Sequence, residues 1–216
     1  MILRLAEHLD VPLRDRNALL VSGGFAPAYP EHPLTAPSMA VVNDAVNAVL
    51  EAHQPFPALV VDRQWNLVAA NATIYRLVSG ASPALLEPPV NVIRLTLHPD
   101  GLAPRIVNLA EWSWHVIDGL CREAALVPNL EADALIAELV SLIPPRPETG
   151  PDHLGFAVPL RLRSPGGELR LITTLTRFGT AVDVTVSELR MEAFLPADEP
   201  TAAALPGLGR DYASAG

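Results

Sequence analysis

Apolar residues recur at helical spacing through the N-terminal and middle parts of the chain and alternate with polar ones in its last third. Leu3, Leu5, Ala6 and Leu9 form a first short stripe, and Leu13, Ala18, Leu19 and Leu20 a second. Asp10 and Val11 make the turn between them. Pro12 stands where a helix can begin without its missing N–H being felt, and Gly23-Gly24 ends the second helix. A pair this short cannot bury its stripe alone and needs a partner. Pro27, Pro30, Pro33 and Pro37 mark a linker. Met39, Val42, Val46, Val49 and Leu50 then predict a helix over 38–53, with Asn43, Asp44, Asn47 and Glu51 opposite; Pro55 and Pro57 stop it.

Two apolar runs, 58–62 and 65–71, flank the polar Arg63-Gln64 and predict a hairpin. A short helix over 73–78 ends at Ser79-Gly80. The clearest helix is 109–126: Leu109, Trp112, Val116, Leu120 and Ala124 share a stripe, Asn108 is placed as its N-cap, and Glu111 completes a capping-box pair. A further helix over 131–143 presents Leu135, Leu139 and Leu142, and a Pro-rich loop covers 144–154. Strands follow at 155–163, at 168–178 after the Ser164-Pro165-Gly166-Gly167 turn, and at 188–195. Residues 182–187 read either as strand or as a helical turn capped by Asp183, and 199–216 as a frayed tail or a short helix. The fold class is α+β: a five-stranded antiparallel sheet in PAS-like order with helices on one face.

Two blocks are specific: L-T-L-H-P-D-G-L-A-P-R-I-V-N-L-A-E-W, Leu95 to Trp112, and F-G-T-A-V-D-V-T-V-S-E-L-R-M-E-A-F-L-P-A-D, Phe178 to Asp198. Both resemble the ligand-binding domain of the MmyB-like bacterial transcription regulators, a PAS-like sensor that follows an XRE-type helix-turn-helix. The first residues, L-R-L-A-E-H-L-D-V-P-L-R-D-R-N-A-L-L-V-S-G-G-F-A-P, are similar to the last two helices of the five-helix XRE domain, whose DNA-reading helix lies upstream of them. The resemblance, over roughly 1–205, divides the chain into a helix-turn-helix remnant (1–29), a Pro-rich linker (30–37), a PAS-like ligand-binding domain (38–200) and a tail (201–216). An ordinary helical hairpin is the other reading of residues 1–24.

Composition narrows the function. The net charge is −9, and all 15 basic residues are Arg, scattered rather than clustered as phosphate contacts require. This argues against a nucleic-acid surface on the body of the chain, so operator DNA is expected only through the upstream helices. A single Cys (Cys121) excludes an internal disulfide, fits a reducing cytoplasm, and is expected as a packed thiol on the flank of the 109–126 stripe. No apolar run is long enough for a membrane span, and Met1 to His8 have no signal-peptide pattern, so a soluble cytoplasmic protein is expected. Phosphate-cradling glycine loops and a nucleophile elbow are missing, and the six His have no zinc spacing. No cofactor, metal or catalytic residue is expected.

The His98-Pro99-Asp100-Gly101-Leu102-Ala103-Pro104-Arg105 segment reads as a sharp route into the 109–126 helix. His98, Arg105 and Asn108 are then either structural or polar contacts at a pocket mouth, Arg105 being suited to a carboxylate. Trp112 and Val116 on the helical stripe, with Leu97, Phe156 and Leu175, complete the expected ligand wall. An interior of Ala, Val and Leu permits a cavity for an apolar molecule. The resemblance implies a small hydrophobic, fatty-acid-like effector coupled to DNA binding in a homodimer. A ligand-free dimerisation module and a small lipid-modifying enzyme are the alternatives.

Overall fold

The computed structural model describes residues 2–126, 130–148, 157–178 and 181–208. A helical hairpin of α1 (Ile2–His8) and α2 (Leu13–Ser22) comes first, followed by the linker and α3 (Ala40–Ala52). The hairpin β1 (Ala58–Val61) and β2 (Leu67–Ala70) leads to α4 (Ala72–Leu77), α5 (Val92–Leu97), α6 (Leu109–Leu126) and α7 (Leu130–Leu142). The chain returns through β3 (Leu160–Ser164), β4 (Gly167–Arg177), α8 (Val184–Glu188), β5 (Arg190–Pro196) and α9 (Glu199–Ala204).

The strands form one antiparallel sheet in the order β2-β1-β5-β4-β3, which is the PAS-like order. The central β5 sets Glu192 opposite Leu59 of β1 and Leu175 of β4. Alternation gives the two faces different tasks. Leu59, Val61, Leu160, Leu162, Leu169 and Leu171 point toward α4–α7 and share a core with Ile93, Leu97, Trp112, Ile117 and Leu139. Ala58, Val60, Met191 and Ala193 point the other way and pack on Val46 and Leu50 of α3.

Side-chain caps fix where the short helices begin. Asn71 Oδ1 accepts from the Ile74 and Ala58 N–H groups, while Nδ2 donates to the Phe56 and Leu50 carbonyls. One buried amide therefore joins α3, β1 and α4. Asn91 caps α5, a helix not assigned from the sequence, and Asp198 caps α9. Asp183 caps α8, so the segment left open between strand and helical turn is helix. In the β1–β2 turn, Asp62 accepts from the Gln64 and Asn66 N–H groups and Trp65 adopts φ 64°.

Two expectations on α6 are corrected. Asn108 does precede α6, its carbonyl accepting the first helical N–H from Trp112 at 3.0 Å, but its buried side chain engages β3 instead of capping: Nδ2 donates to the Pro159 carbonyl at 2.9 Å and Oδ1 accepts from Arg161 N–H at 3.1 Å. Cys121 is exposed rather than packed, because it follows the buried Leu120 by one position and so turns about 100° off the stripe. β3 starts at Leu160; the earlier part of its expected span, 155–156, lies outside the described residues. No described helix is long and apolar enough to cross a membrane.

A candidate ligand cavity between the sheet and helices α4 to α6

A cavity of about 870 Å³ lies between the inward sheet face and helices α4, α5 and α6. That volume is within the range of small-molecule sites, roughly 300–1,000 Å³. Its roof is one stripe of α6, Trp112, Val116, Gly119, Leu120 and Glu123, at the spacing that keeps successive turns on one face. Leu77 of α4 with Ile93 and Leu95 of α5 close the far side, and Leu160, Leu162, Leu171 and Phe194 form much of the floor. Most of this wall is aliphatic. Gly119 helps keep the space open: a Cβ built there would meet only Arg122 Nη2, at 3.9 Å.

Glu123 of α6 and Glu192 of β5 are charged residues of the lining, and Glu123 is bound to Arg190 of β5, which lies behind it. Arg190 and Glu192 are successive inward positions of β5. Arg190, 7 % exposed, donates through Nη1 to both Glu123 carboxylate oxygens (2.6 and 2.8 Å) and through Nη2 to the Arg63 carbonyl (2.9 Å). Its guanidinium lies over the Trp65 ring, 4.8 Å from the centroid. The Trp65 indole N–H is buried with no partner among the described residues. A buried guanidinium is tolerated when its donors are satisfied and its charge is paired, and Glu123 and Arg63 supply both.

Glu192 has no such arrangement. Its cross-strand neighbours are Leu59 and Leu175, and among the described residues nothing donates a hydrogen bond to its carboxyl. Arg190 is already bound to Glu123. Removal from bulk water, without a compensating charge, pushes the Glu192 pKa up from 4.5 to about 7. The side chain touches the cavity and so remains partly accessible, yet protein surrounds it on every other side.

Of the residues expected at a ligand wall, Trp112, Val116 and Leu175 line the cavity. Leu97 is 0 % exposed and sits in the core behind it. His98, Arg105 and Asn108 do not line it. The His98 Nδ1 accepts from Asp100 N–H at 3.0 Å, and Arg105 donates to the carbonyls of Leu77, at the end of α4, and Arg163 of β3. Phe156 lies outside the described residues. Glu192, the Arg190–Glu123 pair, Trp65 and Gly119 were not singled out from the sequence. A sequence signal for the first two did exist: Arg190, Glu192 and Phe194 alternate along one face of a central strand. Among the described residues no group of His, Cys, Asp or Glu is placed to hold a metal ion.

A model of the MmyB-like transcription regulator ligand binding domain matches residues 42–208. The chain belongs to this family. No match to the chain is found among curated proteins. The matched span of the MmyB-like domain runs from α3 to the turn after α9, so it contains the whole sheet and every wall of the cavity. The α1–α2 hairpin lies before it and is tied to it by ion pairs. Arg14 of α2 contacts Glu188 of α8 (2.6 Å) and Glu31 of the linker (2.6 Å), and His32 pairs with Asp183 at 2.7 Å.

Proposed function

We propose that this chain is the sensor part of a one-component bacterial transcription regulator, taking a small hydrophobic effector into the cavity beneath α6. The observation that carries this reading is an aliphatic hollow of about 870 Å³ inside a ligand-binding domain of regulators. Each methylene moved from water into such a wall gains about 0.8 kcal/mol, so a chain of some ten carbons gains about 8 kcal/mol before ordering costs. The aliphatic chain of a fatty-acid-like molecule satisfies the apolar requirement, whatever head group it carries. The role is binding, not catalysis, and its setting is the cytoplasm.

The hairpin fits the end of an XRE-type domain. Leu5, Leu9, Leu19, Val21 and Phe25 are all exposed on it, an apolar surface suited to further helices of a DNA-binding unit. Coupling to DNA would run through dimer geometry, with each ligand state favouring one arrangement. A connected route is available: Glu123 of the cavity wall binds Arg190, Arg190 holds the Arg63 carbonyl, Arg63 faces Glu188 at 3.7 Å, and Glu188 binds Arg14 of α2.

Native mass spectrometry of the delipidated protein against a panel of C8–C16 amphiphiles is expected to detect one ligand per chain. The Gly119→Leu variant separates cavity binding from surface adsorption. A Cβ at Gly119 meets only the end of Arg122 and faces the cavity, and replacing a helix-interior glycine contributes about 0.8 kcal/mol to the helix. Thermal stability is therefore expected to hold or rise while affinity drops at least about tenfold. Undiminished binding in Gly119→Leu would place the ligand elsewhere, and no binding across the panel would favour a ligand-free interaction module.

A further inference from the structure

The polar lining of the cavity is not symmetric in charge, and the asymmetry selects among amphiphiles. Four titratable groups share the lining with Glu192: Tyr75 of α4 and His115, Arg122 and Glu123 of α6. Glu123 is neutralised by Arg190. Arg122 is exposed at the rim; the nearby Asp118 is held below its ordinary range first by its hydrogen bonds with Arg146, with Arg122 adding a smaller attraction. Tyr75 and His115 are on exposed positions of the rim. Glu192 alone faces inward from the middle of the sheet between Leu59 and Leu175, with both carboxyl oxygens unpaired among the described residues. A buried carboxylate without a donor is an unfavourable arrangement unless something else completes it.

We propose that the cavity selects amphiphiles whose head group donates a hydrogen bond, an amine or a hydroxyl, and that Glu192 is the residue that receives it. The inference rests on the reading of the cavity as an effector site and adds the chemistry of the head. An ammonium would give Glu192 the opposite charge it lacks, in surroundings where water screens weakly. A hydroxyl would give it a charge-assisted hydrogen bond. A carboxylate offers neither and would place two like charges against each other. Desolvation lifts the Glu192 carboxyl to about 7, and the hydrogen bond or charge of either donor would offset that cost in part. The chain of the ligand would run from Glu192 along the α6 stripe toward Leu160 and Leu162.

The test uses the delipidated full chain and three twelve-carbon probes differing only in their heads: dodecylamine, 1-dodecanol and dodecanoate, at pH 8 and below their aggregation concentrations. Trp65 and Trp112 line the cavity, so intrinsic fluorescence reads occupancy. Dodecylamine is expected to bind at least about tenfold tighter than dodecanoate, with dodecanol between them or equal to the amine. Glu192→Gln is expected to weaken the amine about tenfold and to strengthen dodecanoate, so that the order closes up or reverses. The wild-type order stands as a result even if the variant folds poorly. Dodecanoate binding as tightly as both donors, or an order unchanged by Glu192→Gln, overturns the proposal and leaves the effector site intact. Failure of all three probes to bind the wild type removes the effector-site reading and this one with it. A binding amine with a non-binding alcohol assigns the recognition to charge; the reverse assigns it to the hydroxyl.

Discussion

Replacing Gly101 by Ala is expected to cost about 3 kcal/mol of stability. A Cβ at this position would lie 2.0 Å from the Leu95 carbonyl oxygen, 3.0 Å from its carbon and 3.3 Å from the His98 oxygen. All three are backbone atoms, so no side chain can swing aside and the turn itself must open. Opening it breaks two hydrogen bonds that make the turn, Leu102 N–H to Leu95 oxygen (3.1 Å) and Gly101 N–H to His98 oxygen (2.9 Å). Overpacking of this kind costs about 1–3 kcal/mol when the neighbours can shift, and here they resist. In a chain of 216 residues that is a drop in Tm of roughly 6–12 °C. Leu95 and Leu102 both line the cavity, so affinity should fall in the same variant. A melt within 2 °C of wild type would show that this route is looser than its contacts imply.

At pH 8 the Glu192→Gln variant is expected to be more stable than the wild type by about 3 kcal/mol, and well below pH 4.5 to be equal to it. Burial raises the Glu192 carboxyl from 4.5 to about 7, so the folded protein holds this proton more tightly than the unfolded chain. Below pH 4.5 both states keep the proton. As pH rises from 4.5 to 7 the unfolded chain releases it first and stability falls, by about 1.4 kcal/mol per unit of pKa difference. Above 7 the deficit is constant. Glutamine imitates the protonated acid in shape and neutrality and never ionises. Asp118, Glu138, Glu168 and Asp198 sit below their ordinary pKa and give the opposite trend, but they are common to both proteins and cancel in the difference. Urea unfolding at each pH measures it. Equal stabilities at pH 8 would mean that water reaches this carboxylate freely. A residue that destabilises the fold at neutral pH and faces a cavity is the pattern of a binding group, in which stability is given up for function.

Much of the architecture was legible because local and tertiary signals agree. The 109–126 helix, the hairpin around Arg63-Gln64 and the turn at Ser164 to Gly167 each combine periodicity with an appropriate turn or stop. α5 was not legible, since six residues show too little period and its cap, Asn91, is used by the β1–β2 turn as well through Gln64. The cavity wall was legible only on α6 and at Leu175. β5 is covered on both faces, with Met191 and Ala193 against α3 and Arg190, Glu192 and Phe194 toward α6. A rule that sends polar residues to solvent assigns that strand the wrong way round: its charged side is the interior one. His98, Arg105 and Asn108 looked like mouth residues because polar groups in a Pro/Gly-rich segment usually face outward. Here they satisfy backbone groups of the turn, α4 and β3, which only the folded register reveals.

Every cation in the route from the cavity wall to α2 is a guanidinium, and the chain has no Lys to substitute for one. Arg14, tied to Glu188 and Glu31, is held even further toward the charged form. Guanidinium groups keep their proton at any pH a protein survives. Alkali therefore leaves the arginine route between sensor and hairpin fully charged, and acid loosens it, by neutralising the carboxylates that face it.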